Sequence, residues 1–173
     1  MKKVIIVLAL IISLMAIPTA ASADSTTVGS SAWLKSESEF VDADYRVLML
    51  KDFFEKYNSP LKDYAWYFVF WADEYQIDWR LVPAISGVES TFAKHMPKNS
   101  FNAYGWANGA YRFDSWESSI EIVSKTLRQK YYDRGADSPK EIAKIYAPPS
   151  KTWAWKVEYF MNKIDPMPVV FDL

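Results

Sequence analysis

The sequence predicts a mainly α-helical domain, and three observations carry that expectation. Apolar residues recur at helical spacing in segment after segment from about Phe40 to Ile164. Ser, at two places followed by Pro, stands where such segments begin, as at helix starts. Only five glycines occur in 173 residues, too few for a fold built on many tight turns. No internal repeat is visible.

The first 23 residues read differently from the rest. Lys2 and Lys3 precede an apolar run from Val4 to Ile17 that only Ser13 interrupts; Pro18 ends it and Ala21-Ser22-Ala23 follows. A basic start, an apolar core and a small-residue site make a secretory signal peptide, expected to be cleaved after Ala23. The run is short for a membrane span; an uncleaved anchor is the alternative. Residues 24–39 are Ser- and Thr-rich and aperiodic, a flexible lead-in. Residues 40–173 form the folded domain, of ordinary single-domain size. The protein is therefore expected to be secreted or held in the cell envelope, and monomeric.

Composition narrows the function. The net charge of −1 argues against a nucleic-acid binder, which would normally be basic. With no cysteine, an exported chain has no disulfide staples and no lipoprotein anchor, so its core must hold it together alone. Eight Trp, 11 Tyr and 10 Phe supply that core; aromatic faces also bind sugars, so a surplus of Trp and Tyr near a cleft would point to a glycan ligand.

The first helix covers about Phe40–Tyr57, with Tyr45, Leu48, Met49 and Phe53 in register. Ser59-Pro60 starts a second, running to Gln76, with Leu61, Ala65, Phe68, Ala72 and Tyr75 on one stripe. Asp78 is a candidate cap for a third, which carries Leu81, Ile85 and Val88. Pro83 means that this helix starts irregularly at Asp78 or becomes regular only near Pro83. Residues 91–117 break the period with Pro97, Gly105, Gly109 and three Asn, and predict an irregular loop or a small β-hairpin near Asn108-Gly109. Helical spacing returns at Ser118–Tyr132, again after Ser138-Pro139 as far as Tyr146, and last over Lys151–Ile164.

The chemistry points to Glu89. It lies four residues after Ile85 and eight after Leu81, on the apolar stripe of its own helix and at that helix's end. Burial penalises its charge, and the negative end of the helix dipole repels it. Both effects raise its pKa, as a glycosidase acid requires. The same placement fits a carboxylate reaching water at a fraying helix end, and pattern alone leaves both readings open.

The segment Ala84-Ile85-Ser86-Gly87-Val88-Glu89-Ser90 resembles the lysozyme-like superfamily of peptidoglycan-cleaving enzymes, in which the catalytic Glu ends a helix ahead of Ser. Within it the chain is similar to the soluble lytic transglycosylases and the autolysin-type glucosaminidases. Asn102-Ala103-Tyr104-Gly105-Trp106 matches the Asn-x-aromatic-Gly motif of the glucosaminidase type. Phe113-Asp114-Ser115-Trp116-Glu117 matches the aromatic step into the next helix. The likeness spans roughly Pro60–Ile164. It implies a lysozyme-like fold with the 91–117 loop as one wall of a groove. It also implies cleavage of β-1,4 bonds between amino sugars, with Glu89 as general acid. Ser90, Asn102, Tyr104, Trp106 and Tyr146 are the substrate-binding candidates it implies. Two motifs depart from the transglycosylase pattern. Gly105-Trp106-Ala107-Asn108 stands where Gly-Leu-Met-Gln is typical, and Tyr146-Ala147-Pro148-Pro149 where Tyr-Asn-Ala-Gly is typical.

A second carboxylate would favour hydrolysis, by activating water or stabilising a cation-like sugar. Asp114 and Glu117 are the loop candidates. Glu117 also suits a helix first turn, and Asp114 a turn residue. Trp106, Tyr104 and Tyr111 are candidates for stacking on sugar, or for anchoring the loop. His95, the single His, has no partners for a zinc site or a catalytic triad, and 91–104 has no acid for Ca²⁺. No cofactor and no metal is implied; the expected partner is the peptidoglycan glycan strand. Two other readings remain: a non-catalytic glycan-binding module, which would need the aromatics but not Glu89, and a membrane-anchored structural protein that keeps residues 1–23.

Overall fold

The computed structural model describes residues 44–165. The signal peptide, the lead-in, the start of the first helix at Phe40 and the residues after 165 lie outside the described residues. Six α-helices and three short 3-10 turns, with no strand, make up the regular structure among the described residues. They are α1 (Tyr45–Lys56), α2 (Ala65–Glu74), α3 (Leu81–Ser90), α4 (Trp116–Lys130), α5 (Pro139–Tyr146) and α6 (Trp153–Ile164). None of these helices is long and apolar enough to cross a membrane.

Short polar side chains cap the starts of three of the six helices. Asp44 accepts from the Arg46 N–H at the start of α1, Ser115 from Ser118 at α4, and Ser138 from Glu141 at α5. Each satisfies an amide that the first turn leaves without a partner. Ser59 accepts from the Leu61 amide and donates to the Phe92 carbonyl at 3.0 Å, pinning the chain after α3 to this start.

The helix expected from Pro60 to Gln76 is two pieces. A 3-10 turn covers Pro60–Tyr64, and α2 begins at Ala65. Tyr64, at φ −107° and ψ 9°, is the joint. A tightened start of this kind is common at helix ends. Leu61, Ala65, Phe68 and Ala72 still reach the core. The question at Pro83 resolves between the two expectations. Helix α3 starts at Leu81, so Pro83 is its third residue, where the missing N–H has no intrahelical partner to lose. Asp78 accepts from the Arg80 amide and pairs with its guanidinium at 2.6 Å, just ahead of the helix. Helix α4 begins at Trp116, two residues before Ser118.

Helix α3 is the centre of the domain. Residues 81–87 are all buried, and the helix packs on α6 and against α4. Gly87 permits the closest contact: a Cβ there would stand 2.5 Å from the Phe92 ring. That ring, fully buried, meets Phe53, Phe54, Tyr57 and Phe160 at centroid distances of 4.5–6.1 Å. Burying a ring of this size stabilises the fold by about 1.5–3 kcal/mol.

Candidate active site

Helix α3 ends at Ser90, and the chain reverses through Thr91, Phe92 and Ala93, all at positive φ. Such backbone is unfavourable for residues with a Cβ, so the contacts around it must hold it. Ser90 does so: its hydroxyl accepts from the Ala93 amide at 2.8 Å and lies 2.8 Å from the Ala103 carbonyl, to which it donates. The reversal leaves Glu89, the one acidic residue of α3, lining a cleft of about 500 Å³.

Three further elements wall the cleft. The loop supplies Tyr104–Asn108 and Tyr111, the end of α4 supplies Tyr131, and the end of α5 supplies Ile145, Tyr146 and Ala147. Glu89 is the one charged residue lining it among the described residues. Burial raises the Glu89 pKa from its ordinary value, while a hydrogen bond from Trp153 pulls it part of the way back. The Trp153 indole N–H donates to Glu89 Oε1 at 2.7 Å. On the other side, Gly105 faces Oε2. The Tyr146 hydroxyl donates to the Tyr104 carbonyl at 2.6 Å, and its ring stacks on Trp153 at 5.0 Å and 28°. Burial, with Glu89 nearby, holds the Tyr146 phenol far above its usual pKa, so it is a neutral donor and not a base. The arrangement offers one partly buried carboxylic acid, phenol and indole faces, and open space beside them.

Comparison with protein-family models, curated proteins and solved structures finds no match.

The structure brings Glu89, Tyr104, Trp106 and Tyr146 together at the cleft and keeps Ser90, Asn102, Asp114 and Glu117 out of its lining. Ser90 and Asn102 are buried, and their polar atoms bond within the protein. The Asn102 side chain accepts from the Trp106 amide and donates to the Trp106 and Tyr111 carbonyls at 2.9–3.1 Å. It therefore shapes the cleft wall and does not reach a ligand. Tyr104, a stacking candidate, is 1 % exposed and touches Phe113 edge-on. It anchors the loop; Trp106 and the more open Tyr111, 43 % exposed, are the rings that face solvent. The hairpin alternative for the loop finds no strand in residues 91–117; the chain turns at Trp106–Gly109 with Ala107 and Asn108 at positive φ. Asp114 is exposed, Glu117 lies in the first turn of α4, and neither lines the cleft. His95 is exposed and also outside the cleft. No group of three or more acidic or His side chains stands close enough to hold a metal among the described residues.

Trp153 is the site residue that sequence reasoning missed. Its spacing with Val157, Met161 and Ile164 reads as the buried stripe of α6, and it is buried there. The available signal was chemical: a buried indole N–H needs an acceptor. Glu89, 64 residues away, is that acceptor.

Proposed function

We propose that this cleft cleaves β-1,4 bonds between amino sugars of peptidoglycan, on a lysozyme-like helical scaffold, with Glu89 as the general acid. The observation that carries the reading is a single carboxyl, raised in pKa by burial and directed by one hydrogen bond, in a cleft edged by aromatic rings. Glu89 gives its proton to the glycosidic oxygen as the bond from that oxygen to the anomeric carbon breaks. No second carboxylate lines the cleft among the described residues, and on this reading the sugar's own 6-hydroxyl closes on the anomeric carbon and returns its proton to Glu89. That step leaves a 1,6-anhydro end and consumes no water, as in a lytic transglycosylase. Neutral Tyr146 and the Trp106 and Tyr111 rings would hold the strand. Export through residues 1–23 would bring the enzyme to this polymer.

Digestion of purified peptidoglycan followed by mass spectrometry of the soluble fragments tests the reading. Fragments with 1,6-anhydro ends are expected. Reducing ends without anhydro sugar would make the enzyme a hydrolase. Binding to the polymer without release of fragments would make the domain a glycan-binding module and sink the catalytic assignment.

A further inference from the structure

The Trp153 indole is held from several sides before it reaches Glu89. It is 4 % exposed and opens α6, where its backbone N–H donates to Ser150 Oγ at 3.1 Å. Tyr146, the last residue of α5, stacks on its face, and the Tyr146 hydroxyl is tied in turn to the loop carbonyl of Tyr104. The indole N–H therefore has little freedom, and it makes the one side-chain hydrogen bond to the Glu89 carboxyl among the described residues. The opposite oxygen, Oε2, faces Gly105, the position where a Cβ would stand 2.9 Å from it.

We propose that Trp153 is a positioning residue that makes Glu89 asymmetric, holding Oε1 as the acceptor so that Oε2 carries and delivers the proton on the Gly105 side of the cleft. The proposal rests on the function proposed above. Its chemistry is elementary. In a neutral carboxyl group the carbonyl oxygen is the better acceptor and the other oxygen holds the hydrogen. A donor fixed at Oε1 therefore places the hydrogen on Oε2. After Oε2–H has protonated the leaving oxygen, the same indole N–H stabilises the resulting carboxylate without rearrangement, as preorganised donors do. The other titratable groups lining the cleft are phenols: Tyr104 and Tyr111 from the loop, Tyr131 after α4 and Tyr146 on α5. Among the described residues no cation lines the cleft to compete with the indole for the carboxylate.

The test replaces Trp153, in the full chain, by 3-benzothienylalanine, which puts sulfur in place of N–H and keeps the ring area. Trp153→Phe serves as a second variant should the first fail to fold. One readout is the titration of the Glu89 carboxyl carbon by NMR in protein labelled at that carbon, with its resonance assigned by its loss in Glu89→Gln. Removing a hydrogen bond to the charged form should raise this pKa by about one unit. The other readout is the pH profile of fragment release from peptidoglycan. Its alkaline limb should move upward with the titration, and kcat on the plateau should fall about tenfold or more with KM within about twofold. A folded variant with an unmoved titration, or with a moved titration and wild-type kcat, overturns the positioning role. An inert wild type defeats the proposed function and the catalytic role together. A shifted titration in that protein would still show that Trp153 sets the ionisation of Glu89.

Discussion

Gly105 leaves open the space beside Glu89: a Cβ at Gly105 would lie 2.9 Å from Glu89 Oε2. Its φ of +70° is also a backbone region that residues with a Cβ rarely adopt. The loop and the acid are thus matched at one position for two separate reasons. Gly105→Ala should cost roughly 1–2 kcal/mol of stability through the backbone alone. It should also displace the carboxyl and lower fragment release at least about tenfold, roughly 1.4 kcal/mol of barrier. Thermal melts beside turnover check both; wild-type turnover in a folded variant would show that Oε2 does not need this space.

Glu89→Gln should abolish cleavage while making the folded protein no less stable at neutral pH. Burial raises the folded-state pKa of Glu89 above its unfolded value, so the folded protein binds this proton more readily. The stability this proton confers is complete below the unfolded pKa of about 4.3 and is lost as pH rises through the folded value. Gln carries no charge and keeps an oxygen for the Trp153 N–H. The melting temperature of the variant should therefore gain on wild type between pH 4 and pH 7.5. A variant that loses ground over that interval would mean that ionised Glu89 is stabilised in the fold.

The same pKa shift sets the pH dependence of wild-type activity. A general acid must hold its proton, so kcat should fall on the alkaline side as pH passes the Glu89 value, which burial raises from its ordinary one. The profile of fragment release against pH checks this. An alkaline limb at the usual carboxylate pKa, or none at all, would remove Glu89 from the acid role.

Tyr104 and Trp106 should separate cleanly on substitution, although they are two residues apart. Tyr104→Ala empties a fully enclosed ring site and should cost about 3–5 kcal/mol. Trp106→Ala should weaken binding to soluble glycan fragments about tenfold, roughly 1.4 kcal/mol, at a smaller cost in stability. Calorimetry and binding titration on the two variants decide it. Equal losses of stability would place Trp106 in the core as well.

Asp114→Asn should keep at least about a tenth of wild-type turnover, a barrier change of no more than roughly 1.4 kcal/mol. Asp114 is exposed and outside the cleft. Glu117→Gln should lose only the favourable charge at the start of α4, about 0.3–1 kcal/mol. A loss near a thousandfold in either folded variant would make that carboxylate a second catalytic group.

By itself the sequence determined the helical class, the order of the six helices and most of their ends. Those features depend on local causes: 3.6-residue periodicity, Ser caps and Pro stops act within a few residues of each other. It determined the position of Glu89 at the end of α3 for the same reason. Tertiary structure decided what each loop residue does. Asn102, Tyr104 and Trp106 lie within five residues and read alike as loop polar and aromatic groups. Only the packing of the loop over α3 and α4 turns Tyr104 inward, occupies Asn102 with its neighbours' backbone, and leaves Trp106 at the cleft. The contact between Trp153 and Glu89 was beyond the reach of any local pattern. It joins residues 64 apart, and it exists because α6 packs on α3 with the indole N–H aimed at the one acid there, a direction that spacing along a helix does not encode.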